Sequence, residues 1–313
     1  MSAQKTATRT TLSASWQERQ KQVDWMHAPL MPEYVNGMVT GTDLHQGGHW
    51  GLYARDRHLV PLAEKRGRGL RVMSLACGSG HVEEFLIGSF EWPVGHLLGL
   101  EYDVELRRSA EQRFASMGTC TSEFRFFDFN ALQKLDVGQF DVIFTCHSIH
   151  HCHDLESMLE FINRSLADDG IMLGIDYFGP SRFQIEPEAL SVIETLFACL
   201  PPHLRRNLES GEIEDIFHRA TIDDVRRADP SESPRSSDLR TLLFSTFPIR
   251  EMRPMGGTIL RWLLQYRAGN FDPENPSDLA ILDLLRFIER TLIERQLLRS
   301  DDLFFVLGKS IRV

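Results

Sequence analysis

Between residues 70 and 180, short apolar runs alternate with stretches whose apolar residues recur at every third or fourth position. Five runs predict β-strands, at residues 70–75, 95–100, 123–127, 140–145 and 170–177. Before the last run, a predicted helix carries one apolar face and ends in a turn at residues 168–170. Its apolar face consists of Leu155, Met158, Leu159, Ile162 and Leu166. Such alternation predicts an α/β fold built on a doubly wound parallel sheet.

The pattern changes on both sides of this core. The start of the chain is polar without apolar periodicity, which predicts a disordered tail, and the chain after the core is predominantly helical. Two late apolar runs, at 247–253 and 303–311, predict strands that complete the sheet. The boundaries that follow are a tail at residues 1–14, an N-terminal helical cap at 15–69, the core at 70–180, a helical lid at 181–245 and a C-terminal segment at 246–313. An ordinary helical extension that packs on the sheet is the alternative for the cap.

Charge and hydropathy narrow the function classes. The 313 residues carry a formal net charge of -10 and their basic clusters are short, so no nucleic-acid partner is expected. No apolar run approaches the roughly 20 residues that cross a bilayer, and the polar start lacks the apolar core of a secretory signal. We therefore expect a cytoplasmic protein with no membrane partner. The oligomeric state stays open, with a homodimer as one alternative.

A loop of small residues follows the first predicted strand. The positions that expose its backbone are Ala76, Cys77, Gly78 and Gly80. Backbone N–H groups at the start of the next helix can bind a ligand there, because no bulky side chain intervenes. A dinucleotide fingerprint requires a further glycine where Glu83 stands, so a pyrophosphate would meet a carboxylate. The loop predicts a cofactor site, but not one of the dinucleotide type.

Two further strand ends carry an acid beside an aromatic residue. Glu101 and Tyr102 follow the second predicted strand, where an acid suits the hydroxyls of a ribose. Asp128 and Phe129 follow the third, and this pairing suits the amino group and the ring face of an adenine. Ligands of doubly wound sheets lie at the carboxyl ends of the strands. We therefore expect these residues and the small-residue loop to line one crevice.

These segments follow one another in the order and spacing of a known family. The segments 72–80, 99–101, 127–129, 140–145 and 166–170 resemble the motifs of the class I S-adenosylmethionine-dependent methyltransferases. The resemblance implies a seven-stranded Rossmann-like methyltransferase sheet, whose last strand runs antiparallel beside the fifth, and S-adenosylmethionine as the cofactor. The residues that it assigns to the cofactor are Ala76, Cys77, Gly78, Gly80, Glu101, Tyr102, Asp128, Phe129 and Cys146.

Two positions depart from the family pattern. The family usually has an acid where Ser74 stands and a glycine where Ala76 stands. The resemblance therefore implies that backbone carbonyls contact the methionine ammonium in this chain. A catalytically silent methyltransferase-like binding protein is the alternative that these departures keep open.

Histidines are concentrated after the fourth predicted strand, at His147, His150, His151 and His153. Methyl transfer to a protonated nucleophile needs a base, and histidine suits that role near neutral pH. His147, closest to the strand end, is the first candidate and His151 the reserve, whereas His150 is expected to pack structurally. Tyr177, at the end of the fifth strand, is a candidate substrate contact.

A metal site is the competing interpretation of the histidine segment. His147 and His151 stand four positions apart, but the chain lacks a His-Glu-x-x-His pattern and paired acids nearby. The five cysteines are scattered without a Cys-x-x-Cys pair, which argues against a structural zinc site and a disulfide framework. No metal is therefore expected.

The leading hypothesis is a methyltransferase that methylates an oxygen or nitrogen of a small-molecule metabolite under a helical lid. Segments 229–235 and 253–257 are similar to segments of bacterial methyltransferases of specialised metabolism, and we expect Glu232 and Arg235 to reach the site. The Pro-Pro-aromatic and Pro-Cys sequences of nucleic-acid methyltransferases are missing after the fourth strand. A nucleotide-dependent oxidoreductase is the other enzyme class, and the missing third glycine argues against it.

Overall fold

The fold is that of a computed structural model, which describes residues 23–42, 48–129, 131–132 and 135–310. The expected tail at residues 1–14 and the end of the expected last strand, Ile311, lie outside these ranges. Among the helices within them, none is both long and apolar enough to cross a membrane.

The described residues form a seven-stranded sheet with the strand order β3-β2-β1-β4-β5-β7-β6. The strands are β1 (Leu70–Leu75), β2 (Val94–Glu101), β3 (Thr121–Phe126), β4 (Phe140–Cys146), β5 (Leu166–Tyr177), β6 (Ile249–Gly256) and β7 (Asp302–Gly308). Neighbours from β3 to β5 pair in parallel, whereas β7 is antiparallel to both β5 and β6. The expected Rossmann-like sheet and its antiparallel last strand are confirmed.

The fifth strand starts four residues earlier than its sequence pattern indicates. β5 begins at Leu166, before the expected residue 170, because Leu166 pairs with Phe140 at the start of β4. The turn expected at residues 168–170 is therefore wrong, since these residues continue the strand. Within that stretch, Asp169 accepts a hydrogen bond of 2.6 Å from Lys65.

Helices precede, separate and follow the strands. They are α1 (Met31–Thr40), α2 (Trp50–Ala54), α3 (Val60–Arg66), α4 (His81–Phe90), α5 (Val104–Ala115), α6 (Leu155–Ser165), α7 (Pro187–Cys199), α8 (Ile222–Ala228), α9 (Ser236–Thr246), α10 (Leu260–Leu264) and α11 (Pro276–Glu294). A π-helical turn, Arg55–Leu59, joins α2 to α3, and a 3-10 turn, Ile149–His151, follows β4. Asp103 and Asp154 start α5 and α6 by accepting backbone N–H hydrogen bonds, as N-cap acids do.

The chain divides into two compact units. The sheet unit consists of Val35–Glu186, Arg219–Gly256 and Arg299–Val313. The helical unit consists of Met1–Tyr34, Pro187–His218 and Gly257–Leu298, and its described part contains α7, α10 and α11. Residues 187–218 of the expected lid thus lie in the helical unit, and residues 219–245 lie in the sheet unit.

Apolar layers cover both faces of the sheet. On one face, Met73 and Leu75 of β1 belong to a continuous buried cluster with Phe161 of α6. On the other face, Trp50 of α2 stacks on Phe144 of β4, with ring centroids 6.3 Å apart. Successive residues of a strand point to opposite faces. A residue between Met73 and Leu75 therefore faces away from the α6 cluster, toward α4.

The helical unit contains a buried acid on α11. Glu289 accepts hydrogen bonds from the Tyr34 hydroxyl at 2.9 Å and from the backbone N–H groups of Ile259 at 2.5 Å and Leu260 at 2.9 Å. Burial raises the pKa of Glu289 despite these donors. Through these hydrogen bonds, Glu289 joins α11 to the start of α10.

Candidate functional site

The small-residue loop between β1 and α4 turns through left-handed backbone conformations. Ala76, Gly78 and Gly80 have φ angles of 49°, 57° and 72°. The Cys77 N–H donates to the Leu100 carbonyl at 3.0 Å, and the Gly80 N–H donates to the Cys77 carbonyl at 2.9 Å. A methyl group built on Gly78 would meet no atom within 4 Å, so open space lies beside the loop. Backbone hydrogen bonds therefore fix the conformation of the loop, and the space beside Gly78 is open to a ligand.

Glu101, at the end of β2, links this loop to the next one. Its Oε2 accepts a hydrogen bond of 2.7 Å from the Gly78 N–H, and its Oε1 accepts one of 2.8 Å from the Asp103 N–H. The side chain is buried. Each oxygen keeps a further lone pair, so the carboxylate can still accept hydrogen bonds from a ligand.

Glu83, in the first turn of α4, faces Ser74, the next-to-last residue of β1. Its Oε1 accepts a hydrogen bond of 2.5 Å from the Ser74 hydroxyl. The side chain is only 5% exposed, and burial raises its pKa to about 7 against the opposing effect of Ser74. The sequence pattern identifies Glu83 only as an obstacle to a pyrophosphate and does not predict its pairing with Ser74. The sequence does contain a signal for the pairing. An acid occupies a buried position of the helix, and the strand residue Ser74 is uncharged.

Two cysteine thiols lie close enough to Glu83 to sense its charge. Burial and then the charge of Glu83 raise the pKa of Cys77, in the loop, and of Cys146, at the end of β4. Both thiols are therefore protonated near neutral pH. Glu83 is thus located between the ends of β1 and β4, beside two of the residues assigned to the cofactor.

The end of β3 places aromatic rings near the predicted adenine position. Phe129 packs edge-on against Phe127, with ring centroids 4.6 Å apart, and Asp128 between them is partly buried. Tyr102 is 63% exposed, and its ring centroid lies 5.6 Å from that of Phe126. The adenine and ribose roles of these residues stay predictions.

His150, in the turn after β4, is buried between two carboxylates. Its Nδ1 lies 2.5 Å from Asp176 Oδ1 and its Nε2 lies 3.3 Å from Glu232 Oε1. Burial opposes a positive charge, but the two acids outweigh it and raise the pKa of His150 to about 9. The other oxygen of Asp176 accepts the N–H groups of Ser148 and Ile149, each at 2.9 Å. His150 is therefore an imidazolium near neutral pH and is unsuited to accept a proton.

The two histidines proposed as bases have different surroundings. His147 is exposed, has a φ angle of 48° and donates its N–H to the Ile175 carbonyl at 2.9 Å. Its charge contributes to the lowered pKa of Asp176, after the opposing effect of burial and the stronger effect of His150. His151 is partly buried, and its Nδ1 lies 3.1 Å from the Ser231 carbonyl oxygen. His147 directly follows β4, and His151 ends the 3-10 turn after it. Their roles as bases stay predictions.

In the described part of the chain, the residues that could hold a metal ion are not the pair His147 and His151 considered from the sequence. His150, His151 and Glu232 have ligand atoms within 4.8 Å of one another, whereas His147 is not a member of this group. Both ring nitrogens of His150 already face carboxylate oxygens, which satisfies the ring without an ion. The group is accounted for as an ion-pair network, and the absence of a metal stays a prediction.

The remaining predicted residues lie around this network. Tyr177 is fully buried, donates its hydroxyl to the Pro180 carbonyl at 3.0 Å and stacks on Phe183 at 4.2 Å. Its role as a substrate contact stays a prediction. Glu232 reaches the histidines, as expected, whereas Arg235 binds Glu156 at 2.8 Å on an exposed edge.

The geometry defines a class of site. A parallel sheet, a small-residue loop with open space beside it, and an acid at the next strand end make a binding site for a nucleoside-type cofactor. Residues 73–172, which include this loop and the histidine turn, match a family model described as a methyltransferase domain. The fold is that of the class I methyltransferases, and residues 73–172 are similar to a methyltransferase domain whose cofactor is S-adenosylmethionine.

Similarity to whole proteins is low. No curated protein matches the sequence. Similar solved structures include an S-adenosylmethionine-dependent methyltransferase from Mesorhizobium loti, 16% identical, covering 77% of this chain and 91% of that chain with a TM-score of 0.40. Another is an O-methyltransferase of a trans-AT PKS multienzyme from Brevibacillus brevis in complex with S-adenosyl-L-homocysteine, 13% identical, covering 84% and 72% with a TM-score of 0.42. At these scores the likenesses carry no argument about this chain.

Proposed function

We propose that the protein transfers the methyl group of S-adenosylmethionine to an oxygen or nitrogen of a small molecule, and that His147 accepts the proton of that nucleophile. When bound, the cofactor supplies an electrophilic methyl group on a sulfonium. The observation that carries the proposal is the position of His147, an exposed histidine at the end of β4 beside the buried Asp176.

The neighbouring histidines support this choice by contrast. His150 is held as an imidazolium by Asp176 and Glu232, so it has no lone pair to offer. His151 faces the Ser231 carbonyl through Nδ1, which makes it the reserve base. His147 has its backbone fixed by the Ile175 carbonyl while its side chain stays exposed. A fixed backbone and an accessible ring are what a general base requires.

A small acceptor is favoured by the charge of the chain. The formal net charge is -10, and no long basic block is available to neutralise phosphates. The acceptor class in the proposal is a metabolite with a hydroxyl or amine group, and the proposed location is the cytoplasm. The five cysteines are all free, which suits a reducing compartment.

The test is a product assay with a set of phenols, catechols, hydroxy acids and amines. Release of S-adenosylhomocysteine and the methylated product are both measured. With an acceptor identified, His147→Ala is expected to lower kcat by about 100-fold or more, with unchanged affinity for S-adenosylhomocysteine. His153→Ala is the matched control, because His153 is an exposed histidine of the same segment.

Three results would change the proposal. If His151→Ala lowers kcat and His147→Ala does not, the two roles are exchanged. If neither substitution lowers kcat, no histidine of this pair is the base. If the wild-type protein binds S-adenosylhomocysteine but methylates none of the acceptors, the small-molecule class proposed here is wrong.

A further inference from the structure

A buried carboxylate beside the cofactor loop has an incomplete set of hydrogen bonds. Glu83 Oε1 is held by the Ser74 hydroxyl at 2.5 Å. Glu83 Oε2 is buried and has no hydrogen-bond partner among the residues that the structure describes. Leaving one oxygen of a buried acid without a donor costs free energy, and the cost is larger when the acid is ionised. The described residues thus leave one oxygen of this acid available to a hydrogen-bond donor of a ligand.

Among the residues that the structure describes, no cation acts on the pKa of Glu83. Cys77 in the loop and Cys146 at the end of β4 are near enough for Glu83 to raise the pKa of their thiols. Glu101 on β2 is near enough for its own charge to raise the pKa of Glu83. These neighbours come from three elements, and each is neutral or negative.

The helix to which Glu83 belongs offsets this only in part. Glu83 lies in the first turn of α4, where the helix dipole favours negative charge. Burial still dominates, because the pKa of Glu83 remains raised, to about 7. The site is therefore preset to gain from a cationic ligand that also carries an N–H donor.

We propose that Glu83 binds the ammonium group of S-adenosylmethionine, with Ser74 as the residue that positions it. The sulfonium of this cofactor is cationic but has no N–H or O–H to donate, whereas the ammonium has three donors. Only the ammonium can both neutralise Glu83 and give Oε2 its missing hydrogen bond. This assigns to α4 the acid that the family usually carries at the position of Ser74, and it replaces the expected contact through backbone carbonyls. It rests on the cofactor, and neither on the acceptor nor on His147.

The experiment is calorimetric titration with two ligands that differ by one group. One is S-adenosylhomocysteine, and the other is its analogue in which a hydrogen replaces the α-amino group. At about pH 8, wild-type protein is expected to bind the amino ligand at least about tenfold more tightly, since hydrogen bonds between charged groups are worth roughly this factor. In Glu83→Gln, the two ligands are expected to bind within about threefold of each other.

A matched control comes from the same helix. Glu91, the C-cap residue directly after α4, has an 80% exposed side chain. Glu91→Gln therefore removes the same charge from a position where water solvates it. It is expected to keep the wild-type preference for the amino ligand. Ser74→Ala, which removes the positioning hydroxyl, is expected to give an intermediate preference.

Acidification gives a readout that needs no substitution. Ionised Glu83 binds an ammonium and protonated Glu83 does not, so the wild-type preference is expected to fall as the pH drops from about 8 to about 6. The deaminated analogue lacks this partner, so its affinity changes less over the same range. In Glu83→Gln, the preference is expected to be independent of pH.

Several outcomes overturn the inference. An equal loss on deamination in wild-type protein and Glu83→Gln would overturn it and leave the cofactor assignment intact. If Glu83→Gln does not fold, a wild-type preference that stays constant between about pH 8 and 6 would overturn it instead. Wild-type protein that binds neither ligand would overturn the inference and the cofactor assignment together. Failure of the acceptor screen alone would leave it standing.

Discussion

Asp176 and Glu83 are both buried carboxylates of the sheet unit, but their pKa values shift in opposite directions. Asp176 accepts the N–H groups of Ser148 and Ile149 and faces the His150 ring, and its pKa is lowered although burial acts against this. Glu83 has one side-chain partner, the Ser74 hydroxyl, and burial raises its pKa to about 7 although Ser74 and the Glu83 backbone N–H act against this. Both oxygens of Asp176 have hydrogen-bond partners within the protein, whereas Oε2 of Glu83 has none among the described residues.

A third acid shows which partner makes the difference. Glu289, in the helical unit, accepts hydrogen bonds from Tyr34, Ile259 and Leu260, yet burial raises its pKa as it does that of Glu83. Neutral donors therefore do not prevent burial from raising the pKa of a carboxyl group. Asp176 differs because it faces a cation, His150. Among the described groups that shift the pKa of Glu83, none is a cation.

The largest effect is expected from Asp176→Asn. The substitution removes the charge that balances His150 and leaves a buried imidazolium with one acid fewer. Breaking a buried ion pair in this way costs about 3–5 kcal/mol of stability. Urea unfolding followed by circular dichroism measures the loss. A change below about 1 kcal/mol would show that Asp176 and His150 are not a buried ion pair.

The pH dependence of stability gives the next effect. The pKa of His150 is raised from 6.5 to about 9 in the folded protein. Its contribution is therefore fully present below about pH 6.5 and is lost as the pH rises through about 9, for a total of at most about 3 kcal/mol. Urea unfolding between about pH 6 and 10 is expected to show this decline in wild-type protein. If His150→Gln keeps the same decline, another group is responsible.

Glu83→Gln is expected to stabilise the protein in the absence of cofactor. The folded pKa of about 7 lies above the usual 4.5, so ionised Glu83 costs stability that grows as the pH rises from about 4.5 to about 7. At about pH 8 the substitution is expected to raise the free energy of unfolding by up to about 3 kcal/mol. At about pH 4.5 the gain is expected to vanish. Destabilisation at about pH 8 would mean that the Ser74 hydrogen bond outweighs the buried charge.

The smallest effect is expected from Glu156→Gln. Arg235 lowers the pKa of Glu156 to about 2, a large shift, but the Glu156 side chain is 60% exposed. Solvent screens such pairs, so the expected loss of stability is below about 1 kcal/mol. A loss comparable to that of Asp176→Asn would contradict the distinction between buried and exposed carboxylates.

The positions of the strands could be predicted from the sequence because the signal is local. The run at residues 140–145 is buried on both faces of the sheet and became β4 with one added residue. The start of β5 could not be predicted in the same way. Leu166 belongs to the apolar pattern of α6, and only its pairing with Phe140 makes it the first residue of a strand.

The site residues also differ in whether their positions depend on local sequence or on packing between distant segments. Small residues at 76–80 and the acid Glu101 could be placed in a crevice because each follows its strand directly. The role of Glu83 depends on which strand residue faces it, and that depends on the packing of α4 against β1. The pairing of His150 with Asp176 and Glu232 joins positions far apart in the chain, so no spacing rule could indicate it.

Ala76 and His147 share a property that bears on how the crevice meets its ligand. Each leaves its strand with a positive φ angle, 49° and 48°, which costs a residue with a side chain about 1–2 kcal/mol. Backbone hydrogen bonds from Cys77 to Leu100 and from His147 to Ile175 hold the chain at these two strand ends, so the protein itself fixes both turns. Association then loses little chain entropy, and affinity at this site depends mainly on the complementarity of groups already in place.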